Sequence, residues 1–123
     1  SKEEMEPGMV KVVLEETAPM FQALREALGM PITVISGYRT PEMNRKCGGA
    51  RRSQHMLARA LDCKCADMDA LYYMANEMQS DGRLPKGGLS IYRRADGTNR
   101  FVHVDCRGRR ARWGGGKRKG HLA

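Results

Sequence analysis

The sequence lacks any apolar run of the roughly 18 residues that a membrane-spanning helix needs. It also lacks a basic leader followed by an apolar stretch, since it opens with the acidic segment SKEEMEPGMV. We therefore expect that any export signal has been removed or was never present. There is no internal repeat that would indicate a solenoid or a propeller. With 123 residues, 41% hydrophobic and 29% charged, the chain fits one ordinary globular domain rather than a disordered polymer.

Cysteines are also few, and their spacing is informative. Four of them, Cys47, Cys63, Cys65 and Cys106, are too few to define a disulfide scaffold in a chain of this size. Cys63 and Cys65 are separated by one residue, which is not the CxxC spacing of zinc ribbons or thioredoxin-like sites. On a strand both would face the same side, towards a core. We favour buried free thiols over disulfides or metal ligands, and the redox compartment stays open.

The net charge of +8 is concentrated at one end of the chain. Residues 107–123 contain seven Lys/Arg and no acid, whereas the rest carries 15 basic against 14 acidic residues. A Gly-interrupted basic segment of this kind favours a flexible tail, which we place at residues 114–123, and attracts polyanions such as nucleic acid, anionic cell-wall polymer or lipid headgroups. A solvated tail with no dedicated partner fits the composition equally well.

Local patterns predict two main helices and a shorter one. The first covers Gly8 to Leu28, where Gly29 supplies the stop and Pro19 either kinks the helix or begins a new one. TPEMNRKC predicts a short helix with Thr40 as its N-cap. The third, within ADMDALYYMANEMQSDG, is amphipathic, with Asp67 as a cap and Gly82 at its end.

Four segments read as strands: PITVISGY, RALDCKC, GGLSIYRR and RFVHVDCR. The last two are joined by ADGTN, in which Asp-Gly is a strong hairpin signal. The sum predicts an α+β fold, with a small, mostly antiparallel β-sheet packed by two or three helices.

Two histidines and an aspartate are placed so that they can converge. His55 lies in the loop before a strand that contains Asp62, and His103 lies at the centre of the last strand, where Asp105 shares its face. If these two strands are neighbours, two imidazoles and one carboxylate meet, a set that suits zinc with one open position for water. An isolated strand histidine is more often structural, so spacing alone leaves both interpretations open.

Three ordered motifs carry a resemblance to a known family. SQHMLARALD, SGYRTPEMN and FVHVD are similar to the S-x-H-x-x-G-x-A-x-D, SGYRT/SPE-x-N and H-x-D/H motifs of the zinc D-Ala-D-Ala peptidases, members of the LAS group of metallopeptidases that cut peptidoglycan peptides. The resemblance implies the hedgehog/D,D-peptidase type of fold and a zinc metallopeptidase domain over residues 1–113, with its motif core at 32–113. Ala58 stands where the family usually has Gly, which often serves a positive φ.

By the same resemblance, His55, Asp62 and His103 are the Zn²⁺ ligands. Arg39 resembles the arginine that contacts the scissile carbonyl oxygen or a substrate carboxylate, a role that suits a fixed fork of donors; a loop-anchoring arginine is the alternative. Ser53 orients the loop or the substrate, or is an ordinary turn serine. Tyr92, in GGLSIY, lies near the cleft or is a packed strand tyrosine.

The general base is the weakest point of the resemblance. Some relatives place an acid three residues before the last ligand, where this chain has Arg100, which cannot accept a proton. Asp105, one same-face step beyond His103, is our candidate for the residue that deprotonates the zinc-activated water. The alternative is that Asp105 orients His103 or pairs with a neighbouring arginine.

Two functions of different classes remain. The first is a zinc peptidase, a D,D-carboxypeptidase or an endopeptidase, that acts on peptidoglycan peptides as a monomer at the cell envelope or as a phage lysin. The second is a non-catalytic zinc-containing module that binds cell wall or another polyanion. A small DNA-binding domain ranks last, because the main interior helix is acidic rather than basic.

Overall fold

Five strands form one sheet in the computed structural model, which describes residues 7–38, 40–46, 48 and 54–114. They are β1 (Thr33–Ser36), β2 (Ala60–Lys64), β3 (Gly88–Arg93), β4 (Asn99–Asp105) and β5 (Ala111–Arg112). The order across the sheet is β1-β2-β4-β3-β5, and only the β3/β5 pair is parallel. The predicted α+β fold with a mostly antiparallel sheet is confirmed.

The N-terminal helical run changes its hydrogen-bonding pattern midway. Helix α1 (Pro7–Val12) continues through a π-helical turn (Val13–Thr17) into α2 (Ala18–Leu28). The Ala18 N–H bonds to the Val13 carbonyl, a step of five residues that widens the helix just before Pro19. Pro19 therefore falls in the first turn of α2, where its missing N–H costs little.

The predicted helix ends are confirmed by their capping contacts. Thr40 Oγ1 accepts the Met43 N–H at 3.2 Å ahead of α3 (Pro41–Lys46). The Asp67 carboxylate accepts the Ala70 N–H at 3.0 Å at the start of α4 (Met68–Asp81). Gly29 and Gly82 end α2 and α4 with φ of 72° and 89°, a left-handed conformation that glycine adopts without strain.

The hydrophobic core lies between the sheet and the pair α2/α4. Met20 and Leu24 of α2 and Leu71 of α4 are buried there against the strands. From the sheet come Cys63, Leu89, Val102 and Val104. Since strand side chains alternate, Phe101, His103 and Asp105 of β4 point to the opposite face. The fold thus directs the chemically reactive residues away from the helices.

Part of the basic segment 107–123, ahead of the predicted tail, is folded. The Gly108 N–H bonds to the Lys86 carbonyl at 2.9 Å, and β5 then runs parallel to the start of β3. A two-residue strand has no periodicity from which it could be predicted. Residues 115–123 lie outside the described residues, so the predicted tail at 114–123 stays a prediction.

The cysteines within the described ranges are free thiols, as expected. Cys63 is fully buried in the core, Cys65 is partly buried beside it, and Cys106 is buried near the end of β4. Burial, with help from the charges of Asp62 and Cys65, raises the pKa of Cys63 to about 12, so its thiol stays protonated. Cys47 lies outside the described residues. Among the described helices, none combines the length and apolar character needed to cross a membrane.

Candidate metal centre

His55, Asp62 and His103 meet at one point on the face of the sheet opposite the helices. His55 comes from a 3₁₀ turn (Gln54–Leu57), whereas Asp62 and His103 lie directly opposite each other on the neighbouring strands β2 and β4. One ligand-capable atom from each residue lies within 4.8 Å of the other two. All three side chains are buried, with exposures of 0%, 4% and 1%. The neighbouring strands that the sequence argument required are therefore present.

Both imidazoles approach the same carboxylate oxygen. His55 Nε2 lies 3.1 Å from Asp62 Oδ1, and His103 Nδ1 lies 3.2 Å from the same atom. The two rings are edge-on, with centroids 5.2 Å apart. The atoms that converge are thus two ring nitrogens and one carboxylate oxygen, a donor set typical of zinc.

The opposite nitrogen of each ring is held by an acceptor. His55 Nδ1 donates to the Gly37 carbonyl at 2.7 Å, and His103 Nε2 donates to Asp105 Oδ2 at 2.7 Å. These acceptors hold both rings in place, with His55 Nε2 and His103 Nδ1 directed towards Asp62. The residues present therefore fit a divalent metal ion, with the outer contacts that such ligands ordinarily have.

The electrostatics of the group favour positive charge at its centre. Burial alone would raise the pKa of Asp62, but hydrogen bonds with His103 and His55 outweigh it and lower the pKa to about 2. Burial alone would lower the pKa of His103, yet its contacts with Asp105 and Asp62 raise it. The same arrangement that favours a proton on His103 favours a metal ion that replaces the proton.

Asp105 is fully buried and already bonded on both oxygens. Its Oδ1 accepts the Gly88 N–H at 2.7 Å and the Arg107 N–H at 3.1 Å, while Oδ2 accepts His103 at 2.7 Å and Arg107 Nη2 at 2.7 Å. Burial opposes ionisation, but the bonds from His103 and Arg107 hold the pKa of Asp105 well below its usual range. These contacts correspond to the alternative interpretation, in which Asp105 orients His103 and pairs with an arginine.

Two consecutive glycines allow this close approach. A Cβ on Gly87 would lie 1.7 Å from the Asp105 carbonyl oxygen, and one on Gly88 would lie 2.4 Å from Asp105 Oδ2 and 2.7 Å from Arg107 Nη2. No side chain fits at either position. The Gly87-Gly88 pair is therefore part of the support of His103.

The loop that carries His55 is anchored to the N-terminal helix. Ala58 has φ of 60°, the left-handed conformation expected from its place in the motif, and is 2% exposed. The Thr17 hydroxyl, in the π turn, donates to the Ala58 carbonyl, and Arg59 pairs with Glu16 at 3.3 Å. The helical irregularity before Pro19 thus places the hydroxyl that holds the loop.

Tyr92 is packed rather than exposed. It is 1% exposed and stacks on Phe101 with ring centroids 4.5 Å apart, and its hydroxyl accepts the Trp113 indole N–H at 2.8 Å. Trp113 in turn lies against His103, with centroids 5.1 Å apart. Tyr92 therefore reaches the metal centre through Trp113, which fits the packed-tyrosine interpretation.

Arg39 and Ser53, predicted to contact substrate, lie outside the described residues. Sequence reasoning missed three residues that support the centre: Gly37, Arg107 and Trp113. Gly37 belongs to SGYRT, and its carbonyl contact with His55 gives that motif a structural role. Arg107 could have been found, because it follows Asp105 by two residues, the spacing that places two side chains on the same face of an extended chain. Trp113 had none.

Comparison with protein families agrees with the motifs. The model of a family described as Peptidase M15 matches residues 1–105, which include all three converging residues. No curated protein matches the chain.

Proposed function

The chain belongs to the Peptidase M15 family of zinc peptidases, and on that premise we propose that it hydrolyses peptide bonds of peptidoglycan stem peptides or their cross-links, as a D,D-carboxypeptidase or an endopeptidase. The observation that carries the proposal is the convergence of His55, Asp62 and His103 within 4.8 Å, with each outer ring nitrogen committed to an acceptor. Such preorganised ligands bind a metal without rearrangement.

We propose that these three residues would hold Zn²⁺. A bound zinc ion supplies Lewis acidity, which polarises the scissile carbonyl and acidifies water. The chain would contribute two imidazoles, oriented by Gly37 and Asp105, and a single carboxylate. One carboxylate would not cancel the charge of a divalent ion, so the loaded centre would favour the oxyanion that develops during hydrolysis.

For Asp105 we propose a positioning role. Its carboxylate accepts bonds from Gly88, His103 and Arg107, so a proton taken from water would have to displace one of them. As a positioning residue it fixes the ring of His103 and raises the basicity of Nδ1. The competing role of general base predicts a different response to substitution, taken up in the Discussion.

Substrate contacts are proposed for residues around the His55 loop. Arg39 would bind the scissile carbonyl oxygen or a terminal carboxylate, and Ser53 would orient the loop or the substrate. Beside the loop a cavity of about 250 Å³ is lined by Thr17, Gly37, Ala58 and Leu61, among others. Its lining also includes Val13, Tyr38 and Ala60 and is mainly apolar, which supports a substrate with an apolar side chain.

The test combines metal content with product analysis. Full-length protein purified without chelators is assayed for zinc by mass spectrometry and then incubated with purified peptidoglycan and defined muropeptides. We expect one zinc ion per chain and release of D-alanine or of cleaved cross-links. His103→Ala should lose both, whereas His121→Ala, which removes the third histidine of the sequence, is the matched control and should keep both.

The two failures of this test have different meanings. Protein that carries zinc but cleaves none of the muropeptides would favour the non-catalytic wall-binding module, which the arginine at position 100 and the bonded state of Asp105 also favour. Protein that takes up no zinc would overturn both functions. We place the activity at the cell envelope or in a phage lysin, acting as a monomer.

A further inference from the structure

A second cavity, of about 240 Å³, lies where the C-terminal half of α4 meets the edge of the sheet at β5. Its lining consists of Gln79, Ser80, Lys86, Gly87, Arg110 and Arg112. Of the six lining residues in the described part of the chain, three carry cationic side chains and none is acidic. The residues come from helix α4, from the segment before β3, and from β5 with its approach, so the charges are brought together by the fold and not by one basic run.

Arg112 is the fixed charge of this cavity. Its guanidinium donates to Asn76 Oδ1 at 2.9 Å, Gln79 Oε1 at 2.8 Å and the Gly87 carbonyl at 2.9 Å. Gln79 is itself 4% exposed and donates its amide to the Gly88 and Asp105 carbonyls, both at 3.4 Å. Among the described residues, every hydrogen-bond partner of Arg112 is a neutral oxygen. The guanidinium is thus held in place by dipoles while its charge is left uncompensated.

Lys86 and Arg110 sit on backbone that is held in place at the mouth of the cavity. The Lys86 carbonyl accepts the Gly108 N–H at 2.9 Å, and the Ala111 N–H beside Arg110 donates to the Gly87 carbonyl at 3.3 Å. Both side chains are exposed, and Arg110 makes only a 3.5 Å contact with Asn76. Their donors are therefore available to a ligand, unlike those of Arg112.

Without a ligand, the positive charges of Arg110 and Arg112 repel each other. Burial and the positive charge of Arg110 lower the pKa of Arg112. Asp105 exerts a smaller opposing effect on Arg112, but its carboxylate is already bonded to Arg107 and His103. Like charges held in one concavity raise its affinity for an anion, because binding removes their repulsion.

We propose that this cavity is a binding site for a phosphate group, with Lys86 and Arg110 as the direct ligands and Arg112 as the fixed positive charge behind them. A phosphate group, with its higher charge and larger number of oxygens, matches three cations better than a single carboxylate does. Guanidinium and ammonium groups are also the usual phosphate ligands of proteins. The cavity opens beside α4, on the opposite face of the sheet from the metal centre. The phosphate is supplied either by free inorganic phosphate or by the phosphodiesters of a polymer.

The test is a titration of the full, zinc-loaded chain, followed by backbone amide chemical shifts at constant ionic strength. Inorganic phosphate is one probe and a short glycerol-phosphate oligomer is the other. We expect saturable shifts centred on Ser80 and Arg110. The double variant Lys86→Gln/Arg110→Gln should weaken binding by about tenfold or more, as expected when two charged hydrogen bonds are lost. Arg109→Gln, an exposed arginine that does not line the cavity, should change it less than about twofold.

Each outcome decides one point. Tighter binding of the oligomer assigns the site to a phosphodiester polymer, and equal or weaker binding assigns it to free phosphate. The proposal is overturned if the double variant binds as the wild type does, if Arg109→Gln loses as much affinity, if acetate competes as strongly as phosphate, or if the shifts centre on His103. Zinc content and melting temperature of the variants, which should stay at wild-type values, exclude a folding defect.

Discussion

The two faces of the sheet are both buried, but they are stabilised in different ways. The face towards α2 and α4 is closed by Cys63, Leu89, Val102 and Val104, which pack without directional bonds. The opposite face carries Asp62, Ser90, His103 and Asp105, which are buried to a similar degree. Among the described residues, no buried side-chain nitrogen or oxygen lacks a hydrogen-bond partner. The stability of the first face depends on how completely its apolar side chains fill the space, whereas that of the second depends on where its hydrogen-bonding groups are placed.

This difference predicts how each face fails. Removing a methylene group from the apolar face leaves a cavity, which lowers the stability of the protein and should leave the metal site unchanged. A shifted partner on the polar face misdirects a ring nitrogen and so reduces metal binding. Substitutions matched in size but placed on opposite faces should therefore separate stability from metal affinity.

The largest effect is expected from Gly87→Ala, at the point where the polar face is held through the backbone. The new methyl group would lie 1.7 Å from the Asp105 carbonyl oxygen and 2.7 Å from its carbon, and backbone atoms cannot move aside as a flexible side chain can. We expect the variant not to reach the native fold, as measured by circular dichroism and thermal unfolding. Gly114→Ala is the control, because nothing lies within 4 Å of its added carbon. A Gly87→Ala protein with wild-type melting would show that β3 and β4 are not this close.

Leu89→Ala tests the apolar face. Leu89 is 0% exposed in the core, and truncation should lower the free energy of unfolding by about 2–5 kcal/mol through lost burial and the cavity that remains. Zinc per folded chain should stay unchanged, because the Leu89 side chain lies in the core, on the face of the sheet opposite the ligands. Urea unfolding of the zinc-loaded protein gives the first quantity and metal analysis the second. Leu14→Ala, at a residue that is 67% exposed, should change stability by less than about 0.5 kcal/mol. Zinc loss in Leu89→Ala would remove the distinction between the faces.

Asp105→Asn sharpens the comparison on the polar face. The amide keeps the size of the side chain but loses the charge that holds His103 and Arg107. For a positioning residue we expect zinc affinity to fall by about 10–100-fold, with activity partly restored by excess zinc. Competition with a chromogenic chelator measures the affinity, and kcat at saturating zinc measures the restoration. Asp69→Asn, at an exposed carboxylate on α4, is the control.

A different result would reassign Asp105. If zinc affinity is unchanged while kcat collapses at every zinc concentration, Asp105 acts as the general base and its bonds to Arg107 rearrange during turnover.

The smallest effect is expected at Ala58. Its φ of 60° costs an alanine more than a glycine, so Ala58→Gly should stabilise the protein by about 1 kcal/mol or less, partly offset by the greater freedom of glycine in the unfolded chain. Differential scanning calorimetry should show a rise of a few degrees. Ala27→Gly, inside the regular helix α2, should shift the melting temperature in the opposite direction. A fall for Ala58→Gly would mean that packing of the methyl group outweighs backbone strain.

Local chemistry made much of the fold predictable from the sequence. Thr40 and Asp67 mark helix starts because their side chains accept the N–H groups that a first turn leaves unpaired. Asp62 and His103 could be expected to meet, because strand alternation fixes which side chains share a face once two strands pair. These inferences need only neighbours along the chain, or one pairing.

Contacts set by tertiary packing could not be predicted in this way. The Gly37 carbonyl meets His55 only because β1 ends beside Asp62, and no pattern in SGYRT announces it. The segment around Arg112 looked like a solvated basic tail, since an arginine bonded to Asn76 and Gln79 has the same local sequence as an exposed one. Pro19 signalled a break in the helix, but not that a π turn would precede it.

That π turn also makes the N-terminal helix sensitive to a change in its length. A step of five residues accommodates one residue more than an α-helical turn does, and each α-helical residue advances by about 100°. The additional residue thus fixes the rotation of the helix before the π turn relative to the helix after it. As a result, Leu14 faces solvent while Met20 and Leu24 face the sheet. Deleting one residue between Val13 and Thr17 would rotate one half of the helix relative to the other. This rotation would turn the Thr17 hydroxyl away from the Ala58 carbonyl.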